Sequence, residues 1–299
     1  MTFDELQAEI LSLSDLPGVD FFTMGYSTLG KPIYTAHIGS YDGNQVIVEG
    51  AIHGREYISA LLLVKQVKYL KDKTFRGGMY FIPMVNPDGV KLVLDGTTEL
   101  SCKILEDYLT MVNNKSNNFY RWKANINAVD LNVNFDADWG GGALNVFCPS
   151  SENFVGYYPN SERETREMIK FTEKIKPALT LSYHTKGEVI YYGFIGLTEE
   201  QLIRDLKIAE AVSEENRYTI IKTENSTGGY SDWVSRHLGV PAFTIEVGNE
   251  KYDSPIPINQ LQIIFEQNKN GPLIALRAYQ NILTTNRVFN LFKNPFLCK

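Results

Sequence analysis

Cysteine and histidine are both scarce in this sequence, which has three cysteines and four histidines among its 299 residues. The cysteines are Cys102, Cys148 and Cys298, an odd number at wide spacing. This spacing argues against a disulfide framework and offers no cysteine pair for a zinc site. The number and spacing of the cysteines fit a protein of a reducing compartment.

Basic blocks and long apolar runs are also missing. The net charge of −6 is spread along the chain, which argues against a nucleic-acid partner. Lys65 and Lys68 interrupt the most apolar helix candidate, so no run reaches the ~18 residues that a membrane span needs. Asp4, Glu5 and Glu9 stand where a secretory signal has basic and then uncharged apolar residues. We therefore expect a soluble, cytoplasmic protein without a membrane span.

Short β-branched or apolar runs alternate with helical patterns along the chain. The runs predict strands at 45–48, 79–85, 179–183 and 242–247, and the periodic segments predict helices at 57–70, 161–175, 198–215 and 258–285. Ser161 with Glu164 and Thr198 with Gln201 match capping boxes. Asn86-Pro87-Asp88-Gly89 predicts a turn.

This alternation is typical of an α/β protein whose sheet is covered on both faces. No seam divides the chain, so we expect one domain over residues 1–299. The predicted fold is a mixed, largely parallel twisted sheet with helices on both of its faces.

Polar residues follow three of the predicted strands. His53 and Glu56 come after the first strand, His184 ends another, and Glu246 lies near the end of a third. In open α/β sheets the ligand site lies outside the carboxyl ends of the strands. We therefore expect these four side chains to converge.

His53, Glu56 and His184 suit a hydrolytic zinc site, which commonly takes two imidazoles and a carboxylate and leaves a fourth position for water. The H-x-x-E spacing places two ligands on one side of a turn. Each feature also has an ordinary interpretation, since H-x-x-E arises by chance and His184 could be a core histidine. Glu246 interrupts the apolar strand "PAFTIEVG", and a carboxylate buried there must be paired or functional.

The segments "AIHGRE", "NPDG", "VDLNVNF", "LSYH" and "PAFTIEVG", in this order, resemble the zinc metallocarboxypeptidases. The resemblance runs from about residue 25 to 248 and implies that His53, Glu56 and His184 bind one zinc ion. It also implies that Glu246 is the general base and acid and that Arg55 contacts the substrate. Zinc would lower the pKa of its bound water and polarise the scissile carbonyl.

Departures from the family pattern concern the substrate. Val133 stands where the family has an arginine that clamps the terminal carboxylate, directly after Asn132 of the D-x-N-R-N motif. Valine cannot form that bidentate contact. Lys123 aligns with a second family arginine that holds the oxyanion, and Asn125 could add a neutral hydrogen bond. We expect Lys123, Asn125 and Asn132 to contact the substrate.

Two further positions of the family's substrate pocket differ. Glu224 aligns with the tyrosine that closes over the substrate, and Ser231 aligns with the residue at the base of the specificity pocket. Together, "RWKAN", "VDLN" and "STGGYSDW" resemble the bacterial branch that cleaves the γ-D-glutamyl-meso-diaminopimelate bond of peptidoglycan peptides. The resemblance thus implies a muropeptide substrate, and Lys186 is a further candidate for binding one of its carboxylates.

Two alternatives remain open from the sequence. An ordinary carboxypeptidase could hold the terminal carboxylate through Arg55 or Arg236. A catalytically inactive binding module could retain the fold, although the three ligand candidates and Glu246 argue against that interpretation.

Overall fold

A computed structural model describes residues 1–98 and 100–293 of the chain, and Cys298 lies outside the described residues. The strands are β1 (Val19–Tyr26), β2 (Pro32–Gly39), β3 (Gln45–Gly50), β4 (Gly78–Ile82), β5 (Leu179–His184), β6 (Val189–Tyr192), β7 (Thr219–Lys222) and β8 (Ala242–Glu246). Within this part of the chain they form one eight-stranded sheet in the order β1-β2-β4-β3-β5-β8-β6-β7.

The centre of the sheet is parallel. Strand β3 pairs in parallel with β4 and β5, and β5 pairs in parallel with β8. One edge is antiparallel, from β1 through β2 to β4, and on the other side β6 is antiparallel to β8 and parallel to β7. The predicted mixed, largely parallel sheet is confirmed, and its parallel centre brings the ends of β3, β5 and β8 to the same edge.

The helices are α1 (Phe3–Leu11), α2 (Ile58–Leu70), α3 (Pro87–Asp95), α4 (Lys103–Val112), α5 (Arg163–Ile175), α6 (Glu199–Asn216), α7 (Tyr230–Trp233), α8 (Leu261–Asn268) and α9 (Gly271–Lys293). A further helical turn, Val234–Leu238, continues α7. In the residues described, none of these helices has the length and apolar character to cross a membrane. Cys102 and Cys148 are exposed and free.

Side chains alternate between two buried layers, one on each face of the sheet. Val48 and Phe243 belong to a core that includes side chains of α1, α2, α6, α8 and α9. Ile47 belongs to the opposite core, together with Phe171 of α5 and Trp233 of α7. Helices on both faces are therefore confirmed.

The segment after β4 differs from the prediction. Asn86-Pro87-Asp88-Gly89 was expected to form a turn, but it is the start of α3. Asn86 caps this helix, because its side chain accepts a hydrogen bond from the Gly89 amide at 2.9 Å. Proline suits the first position of a helix because it has no N–H to leave unsatisfied there.

Of the two predicted capping boxes, one forms. Thr198 and Gln201 exchange both hydrogen bonds at the start of α6. At the start of α5 the cap position is Glu162, and no side chain caps the helix. Ser161 instead donates to Glu162, and Glu164 is turned to a partner outside the helix.

The long helix predicted over residues 258–285 is divided into two. A short turn at Ile258–Gln260 leads into α8, and α9 begins three residues after α8 ends. The side chain of Asn268 at the end of α8 is buried and donates to the Tyr218 hydroxyl. The sequence does carry a signal for this break, because residues 266–271 include no apolar residue and Pro272 suits the start of a new helix.

Glu164 joins α5 to the turn between β1 and β2. It is fully buried, and its carboxylate accepts hydrogen bonds from the amide and the hydroxyl of Thr28, at 2.8 and 3.1 Å. Burial raises the pKa of Glu164 to about 7, and the nearby carboxylates Asp88 and Glu162 act in the same direction.

This raised pKa predicts a pH-dependent stability. The folded protein retains the Glu164 proton that the unfolded chain loses above about pH 4.5. The free energy of unfolding should therefore fall between about pH 4.5 and 7, by up to about 3 kcal/mol. Urea unfolding at pH 5 and 7.5 should show that the free energy of unfolding falls more for the wild type than for Glu164→Gln. Glu173→Gln, an exposed change on the same helix, is the control; parallel pH curves for wild type and Glu164→Gln would contradict the expectation.

Candidate active site

The end of β3 and the short turn that follows it place His53 and Glu56. The turn spans Gly54–Glu56, and His53 occupies its cap position. A Cβ on Gly54 would lie 2.7 Å from the Gly89 carbonyl oxygen, so a larger residue does not fit. Asn86 secures the same region by donating to the carbonyl of Ile52 at 3.1 Å.

His53, Glu56 and His184 form a buried cluster, with one ligand atom of each within 4.8 Å of the others. His53 Nδ1 lies 3.0 Å from Glu56 Oε1, and His184 Nδ1 lies 3.1 Å from Glu56 Oε2. The two Nδ1 atoms are 3.2 Å apart. The three side chains that the sequence predicted as ligands thus point at one place.

The electrostatics of the cluster match a cation site. Although burial acts in the opposite direction, the two imidazoles hold the pKa of Glu56 well below its usual range. Burial also acts to lower the pKa of His184, but its contact with Glu56 raises that pKa to about 9. The cluster therefore concentrates negative potential where a positive charge is best accommodated.

Asp130 holds the far side of His53. Its Oδ1 lies 3.2 Å from His53 Nε2, although the N–H is not well aligned with this oxygen. Its Oδ2 lies 3.0 Å from Lys123 Nζ. Although burial acts in the opposite direction, Lys123 and His53 hold the pKa of Asp130 well below its usual range. A carboxylate at Nε2 favours the tautomer with its proton there, which leaves the Nδ1 lone pair for a metal.

The donor set fits zinc. Two imidazole nitrogens and a carboxylate, with a further carboxylate behind one imidazole, are the ligands and the supporting contact typical of hydrolytic zinc sites. His53, Glu56 and His184 could therefore hold the ion. Each of these residues is only 2–3% exposed.

Glu246 ends β8 directly beside His184, with which it is paired in register. Its Oε2 is buried and has no hydrogen-bond partner within the described residues. Burial raises the pKa of Glu246 to about 7. A carboxylate with this pKa can accept and return a proton near neutral pH.

Glu246 lies in a cleft of about 630 Å³ at the β8, β6 and β7 edge of the site. Asn132 and Glu224, two positions singled out in the sequence, also line this cleft. Ser231 is buried behind it, with its hydroxyl 3.1 Å from that of Thr244, which lines the cleft. The base of the pocket is therefore built of small hydroxyl groups.

Other predicted substrate contacts lie in different surroundings. Arg55 lies near the site and pairs with Glu152 at 3.1 Å. Lys123 pairs with Asp130 at the back of His53. Asn132 accepts a hydrogen bond from the Tyr230 amide at 3.0 Å, which fixes its orientation at the edge of the cleft.

Two residues expected to contact substrate have protein partners in the structure. Asn125 is fully buried, and its amide group donates to Glu162 at 2.7 Å. The Lys186 ammonium donates to the backbone carbonyls of Glu250 and Tyr252. In this position it holds the loop after β8.

Two residues near the cluster were not predicted to take part. Asp130 lies inside "VDLNVNF". Its supporting role could have been predicted, because a carboxylate commonly contacts a ligating histidine. Glu49 is fully buried on β3 beside Ser182, and burial raises its pKa. Nothing in its strand pattern distinguishes Glu49 from a paired structural carboxylate.

Comparison with known proteins identifies the protein family of this chain. The model of the zinc carboxypeptidase family matches residues 14–271. The chain belongs to this family. It is a zinc metallopeptidase, and the family's zinc dependence agrees with the buried His-Glu-His cluster.

Two relatives are about one third identical to this family member over the residues that align. The uncharacterized protein YqgT of Bacillus subtilis is 31% identical over 281 residues, covering 87% of this chain and 73% of that protein. Gamma-D-glutamyl-L-diamino acid endopeptidase 1 of Lysinibacillus sphaericus is 32% identical over 260 residues. That match covers 82% of this chain and 64% of the endopeptidase, so the chain spans somewhat less than two thirds of that relative.

Solved structures share the fold of this zinc carboxypeptidase family member. Bovine thrombin-activatable fibrinolysis inhibitor, solved with a tick carboxypeptidase inhibitor, matches with a TM-score of 0.71 at 20% identity, over 96% of this chain and 98% of that chain. The murein-tripeptide amidase MpaA of Escherichia coli O157 matches with a TM-score of 0.57 at 22% identity, over 87% and 92% of the two chains.

The contact between Asp130 and His53 predicts a measurable effect on metal affinity. Asp130→Asn should weaken zinc binding by about 10- to 100-fold, because the neutral amide supports the ligating imidazole less well. Competition with a chromophoric chelator would measure the affinity. Asp205→Asn, a change at a fully buried carboxylate paired with Arg204, is the matched control. Unchanged affinity in folded Asp130→Asn would rule out this supporting role.

Proposed function

We propose that this zinc metallopeptidase hydrolyses the γ-D-glutamyl-meso-diaminopimelate bond of peptidoglycan-derived peptides. The observation that carries the proposal is Val133, a valine where an ordinary carboxypeptidase of the family has its carboxylate-binding arginine. The relative at 32% identity is named for cleavage beside a γ-D-glutamyl group, which supports the same substrate class.

In this proposal His53, Glu56 and His184 bind one zinc ion. When bound, the ion supplies Lewis-acid chemistry, polarising the scissile carbonyl and lowering the pKa of a water molecule. Glu246 accepts the proton from the attacking water and passes it to the leaving amine. The unpartnered Oε2 of Glu246 supports this role. A buried carboxylate oxygen without a partner lowers stability, and a catalytic role accounts for its presence.

Asn132 would orient the substrate from the wall of the cleft, and Lys123 would act from behind His53. Asn132 lines the cleft, and among the described residues its side chain is engaged only through its oxygen, which accepts from the Tyr230 amide. Lys123 is mostly buried against Asp130, so its charge reaches the site as a fixed positive potential. Such a charge stabilises negative charge that develops on the reacting oxygen.

An ordinary carboxypeptidase is the second candidate. It requires another cation for the terminal carboxylate, and the two arginines that the sequence offered for this role are both engaged. Arg55 pairs with Glu152, and Arg236 forms an ion pair with Asp138 at the surface. The presence of Glu246 beside three candidate metal ligands argues against an inactive binding module.

The role of Glu246 predicts loss of turnover without loss of metal. Glu246→Gln should lower kcat/KM on L-Ala-γ-D-Glu-meso-diaminopimelate by at least about 100-fold, because the amide cannot accept the proton. Zinc content, measured by atomic absorption, should stay at the wild-type level. Glu210→Gln, the same change at an exposed residue of α6, should leave both quantities unchanged. A metal-loaded Glu246→Gln enzyme with wild-type turnover would exclude this residue as the base.

The neutral Val133 predicts the choice of substrate. We expect kcat/KM to be about 100-fold higher for the γ-D-glutamyl-meso-diaminopimelate peptide than for release of a C-terminal L-residue from an ordinary peptide. Losing the charged hydrogen bonds of a bidentate arginine costs about 3 kcal/mol. Parallel assays by chromatography of the products, with the same zinc-loaded preparation, measure the ratio. A preference for ordinary peptides would establish the second candidate.

A further inference from the structure

One wall of the cleft carries two charged residues of opposite sign. Lys222 is the last residue of β7, and Glu224 lies two residues further along the chain. Both residues line the cleft that contains Glu246. Both are exposed. Across the described residues, neither side chain takes part in an ion pair or a hydrogen bond. Thr223 lies between them, and its hydroxyl is buried and likewise unpartnered.

The other cations around the site are already engaged. Arg55 pairs with Glu152, Lys123 with Asp130, Arg236 with Asp138, and Lys186 with two backbone carbonyls. Lys222 and Glu224 carry opposite charges on one wall and have paired neither with each other nor with a neighbour. The wall therefore presents one positive and one negative group to whatever occupies the cleft.

We propose that Lys222 and Glu224 together bind a zwitterionic amino-acid head, Lys222 taking its carboxylate and Glu224 its ammonium. This inference rests on the proposed function, because the far end of meso-diaminopimelate carries both groups on one carbon. The side chains of the common amino acids do not carry such a head. The pair would therefore select the diamino acid on the leaving side of the bond.

The dimensions of the cleft agree with this occupant. Its volume of about 630 Å³ lies within the range of small-molecule sites, about 300 to 1,000 Å³. The lining of the cleft also includes Phe194 and Ile221, which suit the aliphatic chain of a diamino acid. Apolar walls with a few convergent polar groups are typical of such sites.

Substrates that lack one group of the head test each contact separately. L-Ala-γ-D-Glu would be linked to meso-diaminopimelate, which has both distal groups, to L-lysine, which lacks the distal carboxylate, or to L-2-aminopimelate, which lacks the distal ammonium. The variants are Lys222→Met and Glu224→Gln. Lys207→Met and Glu210→Gln, at exposed residues of α6, are the matched controls.

A crossed pattern of losses is expected in kcat/KM. Lys222→Met should lower it about tenfold on the two substrates with a distal carboxylate and leave the lysine substrate unchanged. Glu224→Gln should lower it about tenfold on the two substrates with a distal ammonium and leave the aminopimelate substrate unchanged. The control variants should match the wild type on all three substrates.

Equal losses on all three substrates, or no loss on any, would overturn the inference. Both residues are exposed, so the variants should fold, and thermal unfolding checks this. Wild-type turnover of the diaminopimelate substrate tests the proposed function by itself. Turnover without the crossed pattern therefore rejects only the binding of the head, whereas no turnover of that substrate rejects the proposed function.

Discussion

The buried carboxylate of Asp130 is the contact on which the site depends. It faces His53 on one side and Lys123 on the other, and its two oxygens also accept the backbone amides of Asn132 and Asn153. One side chain thus contacts the imidazole of His53, pairs with a buried ammonium and fixes the loop that carries Asn132. A charge at this depth is stable only because every one of these partners is present.

The parallel centre of the sheet was predictable, and with it the convergence of the cluster. The β-branched runs at 45–48 and 242–247 predicted buried strands, and strand direction then placed His53, His184 and Glu246 at one edge. The edge strands β1 and β7, and β6 beside β7, did not follow from the residues alone. Their half-exposed residues produce a weaker alternation, and their pairing is set by contacts distant in sequence.

Prediction was less successful where a polar side chain had several possible partners. Ser161 and Glu164 match a capping box, yet Glu164 is bound to Thr28, more than a hundred residues away in the chain. Asn125 and Lys186 have the residue types expected of substrate contacts, and both bind protein groups instead. Local spacing identifies which groups can form a bond, whereas tertiary packing decides which bond forms.

The close approach at Gly54 has a consequence for how this sequence can change. Its backbone packs against the carbonyl of Gly89 and donates to the carbonyl of Lys123, so three segments share one point of contact. The "HGRE", "NPDG" and "RWKAN" segments are therefore a single interlocking unit, although they are far apart in the chain. Substitutions in one segment will be tolerated only with matching substitutions in the others, so the three should be inherited and exchanged together.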